Sequence, residues 1–120
     1  MNEQEFKKRT KAVALRAIKV VEALPRTMTA EILGKQLVRA ATSIGANYRA
    51  ACRAKSEADM IAKLGTVEEE ADETLYWLEL IVEAGLIPEA RLADLMKEVN
   101  EIISMTVSSI RTIRQKRTKS

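Results

Sequence analysis

Lys35, Arg39, Arg49 and Arg53 are the residues whose type and spacing best suit chemistry with a ligand, because winding them at about 100° per residue places all four within about 80° of arc. A row of cations on one helix face can contact successive phosphates of a polyanion. The opposite arc carries Leu33, Leu37, Ile44, Tyr48 and Ala51, an apolar face that belongs in an interior, so the row points outward. Two other uses of such a row stand beside phosphate contact: solubilising the helix, or pairing with the carboxylates Glu68, Glu69, Glu70, Asp72 and Glu73 of another subunit. Arg111, Arg114, Lys116 and Arg117 would supplement a phosphate site from the C-terminal segment. Aromatic residues make up 3% of the chain, too few for base stacking to read a single strand by sequence.

Catalysis is not expected. The chain has no histidine, which removes most acid–base, nucleophilic and metal constellations available to a helical protein. Glu70 and Glu73 have Glu-x-x-Glu spacing but fall off the apolar stripe of their segment, where a di-metal site would need them. No Gly-rich phosphate loop or nucleophile elbow is present. The single cysteine, Cys52, can form no disulfide within the chain and reads as a small buried helical residue in a reducing compartment. No catalytic residue, metal site or cofactor is therefore predicted.

These side chains must be positioned by helices. With four Gly, two Pro and no alternating β-branched run in 120 residues, there is little from which to build strands. The first helix is predicted from about Glu3 to Leu24, with Phe6, Val13, Ala17, Val20, Val21 and Leu24 on one face and Pro25 as its stop. Thr29 can cap a second helix reaching about Ala54. Ser56 with Asp59 resembles a capping box opening a third, which ends near Ala84 with Gly85 beyond it. Pro88 suits the first turn of a fourth, whose stripe runs Leu92, Leu95, Met96, Val99, Ile102, Ile103, Thr106, Ile110 and Ile113. The links are short, which forces consecutive helices antiparallel and predicts an all-α, up-down four-helix bundle spanning residues 1–120 as one domain. Residues 113–120 read as a fraying basic tail.

Charge is unevenly placed along this framework. Residues 1–56 carry 12 basic and 4 acidic side chains, residues 57–101 carry 3 and 13, and residues 102–120 add five cations. Such polarity suits head-to-tail packing of subunits or a polyanionic partner. The N-terminal 24 residues hold charges before and within their apolar stretch, so neither a signal peptide nor a membrane span is predicted and a cytoplasmic protein is expected.

Two further groups concern packing. Gly34, Ala41, Gly45 and Cys52 line a seam of small residues on the second helix, suited to close approach of a neighbour within the bundle or from another subunit. On the third helix the stripe Met60, Ile61, Leu64, Val67, Ala71, Leu75, Leu78 and Val82 forms the core face, while Tyr76, Trp77 and Leu80 project away from it. Left bare, Trp77 and Leu80 would each forgo about 1.5–3 kcal/mol of burial. Self-association through these three residues is expected, with coverage by the first helix as the alternative.

The segments Arg39–Ser56 and Lys63–Leu80 resemble the bacterial four-helix-bundle family named for proteins encoded in 23S rRNA intervening sequences, and are similar to the accessory variability determinant of diversity-generating retroelements. The resemblance covers almost the whole chain and is strongest from Leu33 to Leu86. Ser43, Ile44 and Asn47 match the family's Ser-Ile-x-x-Asn motif, whereas Ala50 stands where the family often has Glu, so any contact made by that Glu is absent. The resemblance implies a homopentamer, a basic surface for nucleic acid and, in the retroelement branch, a reverse transcriptase partner. Asn47, near the edge of the core face, is expected to make a structural hydrogen bond where helices cross.

Overall fold

Three side chains start three of the helices. Asn2 Oδ1 accepts from the Glu5 amide (3.0 Å), Thr27 Oγ1 from Ala30 (3.2 Å) and Ser56 Oγ from Asp59 (3.0 Å), each satisfying a first-turn N–H that has no partner in its own helix. These caps open α1 (Glu3–Glu22), α2 (Met28–Cys52) and α3 (Glu57–Glu83), and α4 (Glu89–Lys119) begins directly after Pro88. The computed structural model describes residues 2–119.

Thr27 rather than Thr29 caps α2, so the helix begins two residues earlier than the sequence predicts. Asp59 completes the start of α3 by accepting from the amide of Lys55 (3.1 Å), one residue before the cap itself, and also binds Lys63 Nζ at 2.6 and 2.7 Å. α3 ends where Gly85 takes φ +75°, the left-handed conformation that costs glycine nothing. Leu86 N–H then donates to Ile81 O and Gly85 N–H to Val82 O, both at 3.0 Å, which closes the helix as a Schellman motif.

The four helices pack in sequence order as an up-down bundle about 54 Å long and 22 by 21 Å across. α3 packs along both α2 and α4; α1 packs along α2 and touches α4 lightly. The core runs from Phe6, whose ring meets Tyr48 edge-on at 4.5 Å, through Leu37, Ile44, Val67, Leu78 and Ile81 to Val99 and Ile102. Thr10, Thr74 and Thr106 are buried, and each hydroxyl donates to the carbonyl four residues back in its own helix. No buried side-chain nitrogen or oxygen among the described residues lacks a partner.

One expectation changes here. The C-terminal segment continues α4 as far as Lys119: it has no Gly or Pro, its Arg, Gln and Lys residues favour helix, and Thr118 Oγ1 bonds Arg114 O at 2.9 Å. Ser120 lies outside the described residues. Trp77 does not project away from the bundle but is half-buried against the core, with its indole N–H on Glu73 Oε1 at 3.1 Å. Because α3 has a helix on either side, its apolar arc is wider than one stripe and takes in Trp77.

The seam of small residues packs inside the bundle. A Cβ on Gly34 would stand 3.2 Å from both Leu24 and Val21, and one on Gly45 would stand 3.2 Å from Thr10 Oγ1, so both glycines let α1 lie close against α2. Asn47 bonds within its own helix, Nδ2 to Ser43 O at 2.8 Å, instead of bridging a crossing. Cys52 is a half-buried free thiol beside Tyr48, and burial is the main force raising the pKa of both groups.

Candidate nucleic-acid interface

Up-down topology decides where the charge goes. The start of α1, the end of α2, the start of α3 and the end of α4 meet at one pole, where Glu3, Tyr48, Cys52, Leu64, Ser108 and Thr112 line a shared crevice. Residues 3–12, 47–64 and 107–119 together carry 13 basic and 4 acidic side chains, and the rest of the chain 7 basic and 13 acidic. A division that looks like basic and acidic halves in sequence is thus a rod with one cationic pole.

The predicted row on α2 divides along this axis. Arg49 and Arg53 are exposed at the cationic pole and have no carboxylate partner among the described residues. Lys35 is likewise exposed and unpaired, but stands fourteen residues from Arg49, about 21 Å along the helix. Arg39 is the correction: its guanidinium is taken by α3, with Nη1 on Glu70 Oε2 at 3.3 Å and Nη2 on Glu73 Oε1. The Arg39 hydrogen bond, joined by that of Trp77, holds the Glu73 carboxyl below its usual range. Glu70 and Glu73 of the acidic face of α3 therefore meet a basic partner within the same chain. Sequence spacing could not show this, because it depends on the register of α2 against α3.

On α4, Arg111 and Arg114 are exposed and line an open cleft of about 740 Å³ with Ile61, Gly65 and Glu68 of α3. Lys116 and Arg117 lie farther along the same exposed helix end. α1 supplies cations that the predicted site omitted: Lys7, Lys8 and Lys11 border a groove of about 540 Å³ shared with Arg49. Their clustering in sequence was the available signal. Arg9 beside them is otherwise engaged, its Nε and Nη2 bonding Glu98 at 2.9 and 2.7 Å and its Nη2 reaching Glu101 at 2.8 Å. No group of three or more Cys, Asp or Glu side chains among the described residues could hold a metal ion, and no helix is long and apolar enough to cross a membrane.

Of the predicted interface residues, Tyr76 is exposed, while Trp77 and Leu80 are both partly buried. Ile32 and Leu80 lie seven residues, or two turns, from Arg39 and Glu73 in opposite chain directions, so antiparallel packing brings them level on one seam. Ile32 and Tyr76 are 54% and 53% exposed there, and Met28 is 78% exposed a turn beyond Ile32.

Residues 2–108 match the family described as 23S rRNA-intervening sequence protein. The chain belongs to that family. A solved structure of another protein, of unknown function and from the S23 ribosomal protein family of Bacteroides thetaiotaomicron VPI-5482, is similar to this 23S rRNA-intervening sequence family member with a TM-score of 0.85 and 33% identity over 92% of this chain and 99% of that one. No curated protein matches the sequence. In this family member the Ser-Ile-x-x-Asn segment is structural: Ile44 is fully buried, and Ser43 and Asn47 both bond backbone carbonyls of α2.

Proposed function

We propose that this protein is a non-enzymatic, cytoplasmic, oligomeric scaffold that binds RNA or DNA through backbone phosphates at its cationic pole. The observation that carries the reading is that Arg49 and Arg53 of α2 and Arg111 and Arg114 of α4, all exposed, lie toward the same end of the rod, on the α1–α2 and α3–α4 sides respectively. Phosphate contacts of this kind recognise charge and shape more than sequence. The reading extends to a homopentamer, by the family resemblance, and to a reverse transcriptase as a protein partner in a retroelement setting.

The test is a salt series on a structured RNA. Affinity is expected to fall with a log–log slope of about −0.7 to −0.9 per phosphate neutralised, and replacing Arg49, Arg53, Arg111 and Arg114 with Gln should flatten it. An unchanged slope in that variant rejects the assignment. A second reading, a protein-interaction module without nucleic-acid binding, is favoured by the apolar seam of Met28, Ile32, Tyr76 and Leu80. Its signature is a salt-sensitive assembly that binds no nucleic acid at any ionic strength.

A further inference from the structure

The groove between α1 and α2 has a different construction from the rest of the cationic pole. Its floor is small and uncharged, formed by Ala14, Gly45 and Ala46, and at Gly45 the two helices close on Thr10. Cations stand on both rims, with Lys7, Lys8 and Lys11 on α1 and Arg49 on α2. Among these four, Lys7 has a carboxylate, Glu3 at 3.4 Å, in an exposed i,i+4 pair of the kind that contributes little. Lys8, Lys11 and Arg49 have none among the described residues.

The floor and rims together define the occupant. The Thr10 and Thr42 hydroxyls donate back to carbonyls of their own helices, so the donors left for a ligand are the rim cations and the Gln4 amide. A protein partner would need apolar anchors at the centre of its contact. None of the large exposed apolar side chains, Leu15, Ile18, Met28, Ile32 or Tyr76, lines this groove. Its volume of about 540 Å³ is that of a small-ligand site, and its width is set by one helix–helix spacing of about 8–10 Å. A duplex would rest on the rims, whereas one strand can lay its phosphates between them.

The geometry points to this groove as a track for the phosphodiester backbone of a single-stranded nucleic acid, held between Lys7, Lys8 and Lys11 on one rim and Arg49 on the other. The inference rests on the nucleic-acid reading above and specifies the strandedness of the ligand and a site on α1.

Fluorescence anisotropy of the full chain, with a short single-stranded oligoribonucleotide and a hairpin duplex as probes, tests it. In Lys8→Gln/Lys11→Gln the salt slope for the single strand is expected to fall by about 1.4, two phosphates at about 0.7 each. Ala46→Trp leaves the charge unchanged and fills the floor at an exposed helical position; it is expected to weaken the single strand at least tenfold and the hairpin less than threefold. Circular dichroism confirms the fold of both variants. If both variants hold single-strand affinity within twofold of the unaltered protein, the groove is not the track; if Arg53→Gln/Arg111→Gln/Arg114→Gln still loses binding, the wider nucleic-acid reading survives that result. Failure of the unaltered protein to bind either probe overturns both. A change in assembly mass on Lys8→Gln/Lys11→Gln, with single-strand affinity unmoved, assigns the groove to an acidic face of another copy and overturns the inference.

Discussion

Gly45 lies so near Thr10 that a Cβ placed on it would stand 3.2 Å from the Thr10 hydroxyl oxygen, and that oxygen is itself fixed by bonds to the carbonyls of Phe6 and Lys7. Gly65, in the middle of α3, has nothing within 4 Å of the same position. The two glycines should therefore respond in opposite directions. Gly65→Ala is expected to stabilise the protein by up to about 1 kcal/mol through helix propensity. Gly45→Leu forces α1 from α2 and is expected to cost about 1–3 kcal/mol. Urea denaturation of both variants beside the unaltered chain measures the contrast, and equal midpoints would refute the close approach.

The Arg9 clamp on α4 makes stability depend on acid. Hydrogen bonds from Arg9 hold the Glu98 carboxyl below its usual range despite the opposing effect of burial. A depressed folded-state pKa means the contribution is fully present above the unfolded value of about 4.3 and is lost as pH falls through the lower folded value. Glu98→Gln is expected to lower stability by about 1–2 kcal/mol at pH 7 and to narrow its difference from the unaltered protein as the pH drops below about 4. Thermal melts across pH 3–7 would show this convergence; parallel curves would contradict it.

Arg39 and Arg53 share a helix face and should differ in use. Because Arg39 already serves Glu70 and Glu73, Arg39→Gln is expected to change nucleic-acid affinity by less than twofold at 0.1 M salt. Arg53→Gln removes an exposed cation without an internal partner and is expected to reduce the salt slope by about 0.7–0.9. Titrations of the two single variants decide it, and a larger loss for Arg39 would reverse the assignment of these residues.

Trp77 and Tyr76 are neighbours in sequence with different expected phenotypes. Tyr76→Lys, at a 53% exposed position, should leave the fold intact and lower the assembly mass if the seam with Ile32 and Leu80 joins subunits. Trp77→Lys buries a charge beside the core and should cost about 3 kcal/mol or more of stability in addition. Light scattering reads the first effect and thermal melting separates it from the second; an unchanged mass for Tyr76→Lys removes the seam as an interface.

Much of the fold could be read from local chemistry. Ser56, Gly85 and the regular stripe of α4 mark boundaries and faces that the structure keeps, because caps and periodicity act within one helix. Thr27 and Thr29 illustrate the limit of that signal, since both offer a hydroxyl before the same apolar run and the turn at Pro25 decides between them. The site was less legible. Arg39 was misread because its partners sit on another helix, and Trp77 because a single stripe does not describe a helix enclosed on two sides. Lys7, Lys8 and Lys11 were visible as charges, but their convergence with Arg49 follows from the pairing of α1 and α2.

α1 is the stave of this barrel that could come loose first. It is laid along α2, and its hold on α4 is light apart from the grip of Arg9, while α3 is braced by both α2 and α4. Amide exchange in α1 is thus set to run ahead of exchange in α3, the helix with a neighbour on each side. A strand seated across α1 and α2 would fasten the stave, turning the most detachable part of the protein into the part that its ligand secures.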